Sequence, residues 1–176
     1  MKYFLPLLFA FFCGIFIFCY KNEIILIRFG HQTSMHSMRS IDKKTCCFYF
    51  WHNYRWCKEE EVILWDPDNM IENCHQLIAR WISLAENIRL ITSQTILKST
   101  ILDQKNQEIF LSFNKSFLPV SLATYDKLMI IEGMLKTVEK NGITFRSYNF
   151  LVNHAYMKDS HLDFSISWPL KGFIES

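Results

Sequence analysis

The residues in this chain most able to do chemistry at close spacing are Cys46, Cys47, His52 and Cys57, a Cys-Cys-x4-His-x4-Cys cluster. A structural zinc site needs N or S ligands converging tetrahedrally on one ion. Adjacent cysteines in an extended segment point to opposite faces, so Cys46 and Cys47 do not readily reach the same metal, and no metal site is assigned. Thiol chemistry remains. If the domain is exported, a hairpin disulfide from Cys46 or Cys47 to Cys57 is open to it, with Cys47 and Cys57 as the candidate pair; free thiols packed as small hydrophobes are the other outcome. Cys74 falls on an apolar helical face and is read as core.

A second cluster lies near the C-terminus, where His154, Asp159, His161 and Asp163 crowd into one short stretch. A His–Asp pair can serve acid–base chemistry; the competing reading is a polar hairpin loop, which the pattern favours. Asp163 sits between Leu162 and Phe164 and is expected to face solvent, as is Glu132. No glycine-rich phosphate loop, HExxH helix or nucleophile elbow is present. No catalytic residue and no cofactor is therefore assigned, and the chain is read as a non-enzyme. The net charge of +2 is dispersed, and Lys43-Lys44 is the only adjacent basic pair. Without a basic stripe to follow a phosphate backbone, nucleic acid is excluded as a partner. Glu59-Glu60-Glu61 reads as a solvated turn.

Two helices and several strands must position these residues. Cys46 to Trp51 and Val62 to Trp65 read as strands from their aromatic and β-branched content. Asp66-Pro67 reads as a helix start. Met70, Ile71, Cys74, Leu77, Ile78, Trp81, Ile82 and Ala85 then recur at helical spacing, with Glu72, Asn73, Gln76, Arg80 and Ser83 on the opposite face. Residues 95–103 and 107–113 read as a hairpin. A second helix runs over about 122–140 with Leu128, Ile131, Met134, Leu135 and Val138 inward, stopped by Asn141-Gly142. Strands over 143–152 and 161–165 close the order β-β-α-β-β-α-β-β. The expected class is α/β of the α+β kind, a mixed sheet with two amphipathic helices on one face.

The 176 residues divide into a hydrophobic start and one folded domain. Tyr3 to Tyr20 carries no charge, and about 18 residues rising roughly 1.5 Å each span about 27 Å, near the lower limit for crossing a bilayer. Phe16-Ile17-Phe18-Cys19-Tyr20 offers no small residues for signal cleavage. The boundaries read as an uncleaved membrane anchor over 1–20, a linker over 21–44, a domain over 45–171 and a tail over 172–176. A basic start, an apolar run and a polar domain match an uncut export signal, which places the domain outside the cytoplasm.

Four stretches carry a family likeness. Thr45-Cys46-Cys47-Phe48-Tyr49-Phe50 looks like the first strand of a GerMN domain. Ile109 to Phe117 looks like its hydrophobic strand and following turn, and Ile130 to Val138 like its second helix. Phe150-Leu151-Val152-Asn153, His161 to Ser165 and Pro169-Leu170 look like its closing strands and exit. The chain thus resembles the GerMN family over about residues 45–171. The resemblance implies an envelope-associated, non-catalytic domain similar to ring-building modules, whose partners are other envelope proteins or further copies of itself. The alternative reading is an envelope ligand-binding or hydrolytic domain using the His154–Asp163 loop.

Overall fold

The structure, a computed structural model, describes residues 41–169, all within the unit Arg39–Ser176. The predicted anchor over 1–20, most of the linker and the tail over 172–176 lie outside the described residues. No helix among the described residues is long and apolar enough to cross a membrane.

The chain opens with an antiparallel hairpin, β1 (Asp42–His52) and β2 (Arg55–Trp65). Asp42, Lys43 and Lys44 are therefore strand rather than linker. Asn53 and Tyr54 join the strands with φ of 52° and 58°, the two left-handed residues of a type I′ turn, whose twist matches that of the flanking strands. The register opposes Cys46 to Glu61, Cys47 to Glu60 and Phe48 to Glu59. The three glutamates are thus the middle of a strand, not a turn. Buried Cys46, Phe48 and Phe50 fix the register by their period of two, and charge is accommodated opposite them because β2 borders solvent.

Helix α1 (Met70–Asn87) begins later than Asp66-Pro67 suggests. Asn69 is the cap, its Oδ1 accepting from the Glu72 amide at 3.1 Å, while Asp66 Oδ1 accepts from the Asp68 amide in the turn before it. Leu77, Ile78, Trp81 and Ile82 are buried as the periodicity requires. Two positions depart from it. Met70 is exposed, and Asn73 is buried because its side chain brackets Asp66, accepting from that amide and donating to that carbonyl.

The second sheet is mixed and built in the order β3-β4-β5-β6, with β7 also on β5. β3 (Leu97–Asp103) and β4 (Glu108–Phe113) form the expected hairpin; β4 then pairs in parallel with β5 (Ser147–Val152) across α2 (Thr124–Lys140). The far edge of β5 is shared between β6 (Ala155–Tyr156) and β7 (Trp168–Pro169). The single mixed sheet expected from sequence is thus two sheets, and the predicted strand over 161–165 is irregular chain. Leu162 and Phe164 alternate like a strand, but Asp159 Oδ1 takes the amides of His161 and Leu162, and Asp163 Oδ1 takes that of Ser165. These local bonds compete with a ladder.

α2 is buried over most of its circumference, since Met129, Ile130 and Ile131 are all inside, as are Gly133, Met134 and Leu135. It packs on both β1 and α1. At Gly133 an added Cβ would lie 2.9 Å from the Tyr49 carbonyl oxygen, so glycine is what lets the helix approach the strand.

Candidate functional site

The two histidines and two aspartates near the C-terminus do not converge as an acid–base pair. His154 lies in the β5–β6 turn with φ of 68°, its amide donating to Ser112 Oγ. Asp159 is committed to structure: its Oδ2 receives the ammonium of Lys127 at 2.6 Å, and the Lys127 side chain is fully buried. Burial opposes the charge on Asp159. The hydrogen bonds from Lys127 and from the His161 and Leu162 amides outweigh that cost and hold its carboxyl below the usual carboxylate range. Asp163 is held below its usual range by the Ser165 hydroxyl and amide. Lys127 escaped sequence reasoning because a lone lysine in a helical pattern reads as surface; its position on the buried arc beside Ile130 and Ile131 was the available signal.

The cysteine cluster is spread rather than gathered. Cys46 lies in the core, and Cys47 opposes Glu60 on the other face of the hairpin. Cys57 opposes Phe50, so it shares the face of Cys46 and Phe48, away from Cys47. Both candidate partners are free thiols, and a Cys47–Cys57 bridge needs the register to slip. Burial pushes the Cys74 thiol up to about 12 and also raises Cys46, against which Lys44 acts weakly.

The hairpin tip borders a cavity of about 180 Å³ lined in part by Trp51, His52, Tyr54, Arg89 and Asp126. Small-molecule sites begin near 300 Å³, which leaves this cleft small for a metabolite.

The most developed polar geometry is on the edges of the hairpin. Cys47 and Tyr49 turn their backbone groups away from β2, and each is met by side chains. The Cys47 amide donates to Asn141 Oδ1 at 3.0 Å, and Asn141 Nδ2 donates to the Cys47 carbonyl at 2.8 Å. The Tyr49 amide donates to Thr137 Oγ1 at 2.9 Å, and Trp81 Nε1 donates to the Tyr49 carbonyl at 2.9 Å. Gly133, Thr137 and Asn141 recur every four residues on α2, so they form one stripe along the strand. Lys44 adds an ammonium on the Asn141 carbonyl at 2.7 Å.

Among the described residues the outer edge of β2 has no such cover, and no strand pairs with it. Val62 and Leu64 are 62% and 56% exposed on one face, and Lys58 and Glu60 form an exposed pair at 2.6 Å on the same face. Glu61, on the opposite face, is held by a two-pronged contact from Arg80 of α1. Arg80 is therefore a link between α1 and β2, not a bare surface residue.

The fold and site together define an α+β domain in which a hairpin forms its own sheet, one edge closed by side chains and the other open among the described residues. No family model matches the chain, and no curated relative matches it. Solved structures do. One is described as "Putative Lipoprotein from Clostridium perfringens" and is 15% identical, with a TM-score of 0.48 over 72% of this chain and 87% of that one. Another, the tandem GerMN domains of the sporulation protein GerM from Bacillus subtilis, is 9% identical, with a TM-score of 0.42 over 79% of this chain. This chain covers 49% of that tandem structure, about half its length. The domain named there is the one the sequence resembles. A shared trace at such identities does not carry a function across.

Proposed function

We propose that the chain is a membrane-tethered, non-catalytic module of the cell envelope that works by protein–protein contact, with its folded domain on the extracytoplasmic side. The observation that carries this reading is the long edge of β2, uncovered among the described residues, with Val62 and Leu64 exposed beside it. Unpaired strand edges recruit further strands, and proteins that do not use them shorten, bulge or cover them. β3, the edge strand of the other sheet, is treated that way: it is shorter, breaks register between Leu97 and Ser99, and lies beside α1. β2 runs unbroken in register from Arg55 to Trp65. The commitment of Asp159 and Asp163 to local hydrogen bonds tells against acid–base work in the His154–Asp163 loop.

Tethering supports the same reading, since confinement to a surface raises effective concentration and lets a weak contact form. The test is a photocrosslinking residue placed in the full-length chain in cells, at Val62 on the β2 edge or at exposed Lys105 in the β3–β4 turn. Protein adducts are expected from Val62 and not from Lys105. Deleting residues 1–20 should diminish the Val62 adducts, and His154→Ala with His161→Ala should leave them unchanged. Equal adducts from both positions, or none from Val62, would mean that the edge is not the contact surface.

A further inference from the structure

The charge order of β2 is self-complementary. Its outward backbone groups belong to the even-numbered residues, because outward-turned Cys47 and Tyr49 oppose Glu60 and Lys58 in the register. Resting on the contact reading above, we infer that β2 pairs antiparallel with β2 of a second copy of this chain, about a two-fold axis at Glu59.

In that register Lys58 stands opposite the second copy's Glu60 and Glu60 opposite its Lys58, two opposite-charge pairs against the one like-charge meeting of Glu59 with Glu59 on the other face at the axis. The pair that meets within one chain at 2.6 Å becomes a square of alternating charge. Trp56 stands opposite the second Val62, and Val62 opposite the second Trp56. Aromatic with β-branched is among the cross-strand combinations that stabilise a sheet, as is opposite charge. Trp56 is held ready on that face, since Lys136 lies 4.3 Å from its ring and Trp51 meets it edge-on at 5.4 Å. Neighbouring registers lack this match. A slide by one step sets Glu60 against Glu60 and Glu59 against Glu61; a slide the other way sets Lys58 against Lys58 and Glu60 against Trp56, and the Arg55–Glu61 pairs it offers need a Glu61 that Arg80 already holds.

The contact closes at two copies. It is isologous, the same patch meeting itself. The four-stranded sheet it makes ends on both sides at β1, whose Cys47 and Tyr49 backbone groups are already taken by Asn141, Thr137 and Trp81. The open edge thus makes a pair, and the closed edge prevents a fibre.

The test uses the full-length chain in lipid vesicles, with Cys13, Cys19, Cys47 and Cys57 replaced by Ser and one cysteine placed in β2. Glu59→Cys should give a disulfide-linked dimer on mild oxidation, since its Cα atoms would lie about 4.5 Å apart in a non-hydrogen-bonded pair. Glu61→Cys should not, because four residues of offset separate its mates by about 14 Å. Adding Lys58→Glu to Glu59→Cys should lower the dimer yield about tenfold, and adding Glu60→Lys as well should restore it. A dimer through Glu61→Cys, a yield indifferent to the charge reversals, or no dimer would overturn the inference. A photocrosslink from Val62 to a different protein, without the dimer, would overturn self-pairing while the contact reading stands; loss of both would sink the two together.

Discussion

The two edges of the β1–β2 hairpin are built from strands of equal length, yet the chain treats them in opposite ways. The β1 edge is closed over Cys47 and Tyr49 by a helix stripe of Gly133, Thr137 and Asn141 and by the indole of Trp81. The β2 edge is left with alternating side chains and no strand beside it among the described residues. A buried amide or carbonyl without a partner costs about 1–3 kcal/mol, so each closing side chain has a stability role. The groups on β2 can meet water, and their side chains are free to serve recognition. Stability and contact are thus divided between neighbouring strands of one hairpin.

That division can be broken from the closed side with the largest effect. Trp81 is fully buried, stacks on Phe50 with centroids 5.6 Å apart and holds the Tyr49 carbonyl. Trp81→Ala should cost about 3–5 kcal/mol in a denaturant titration, whereas Arg80→Ala, losing a half-exposed ion pair with Glu61, should cost less than about 1 kcal/mol. Equal losses would mean that the closed edge is not special.

Next comes the seat of α2. Asp159→Ala strands the buried Lys127 ammonium and should cost about 3–5 kcal/mol, with partial recovery on adding Lys127→Met. The pH dependence has a definite sign. Because the folded carboxyl of Asp159 is held below its usual range, its contribution is complete above about pH 4 and is lost as pH falls through the lower, folded value. The acid limb of a stability profile for Asp159→Asn should be shallower than that of the parent.

A smaller loss is expected at Asn141→Ala, about 1–3 kcal/mol, since it leaves the Cys47 amide and carbonyl unpaired. The smallest sharpens the contrast: Lys58→Ala on the open edge should change stability by less than about 0.5 kcal/mol while lowering dimer yield.

Elements whose reasons are local could be read from the chain. The apolar stripe of α1 from Cys74 to Ala85 is where its spacing places it, and Asn141-Gly142 ends α2 with Gly142 at φ of 84°. Features whose reasons are distant could not. Glu59-Glu60-Glu61 looks like a turn until Cys46, Phe48 and Phe50 fix the opposite strand. Asn73, Lys127 and Asn141 look like surface residues until Asp66, Asp159 and Cys47 are beside them. The sequence resemblance pointed to assembly in general terms, but the open edge became visible only when the backbone directions of β1 and β2 were known.

The bond between Asn141 and Cys47 spans 94 residues, and this has a consequence for a chain made from its N-terminus. At about 5–20 residues per second, the ribosome takes about 5–20 s to supply the amide that closes β1 after the strand itself has been made. Throughout that interval the nascent hairpin has two open edges instead of one. The charges at Lys58 to Glu61 are then a safeguard during birth: they sit on one of the two edges open to a neighbouring nascent chain, and they penalise the registers in which glutamate meets glutamate without lysine beside it.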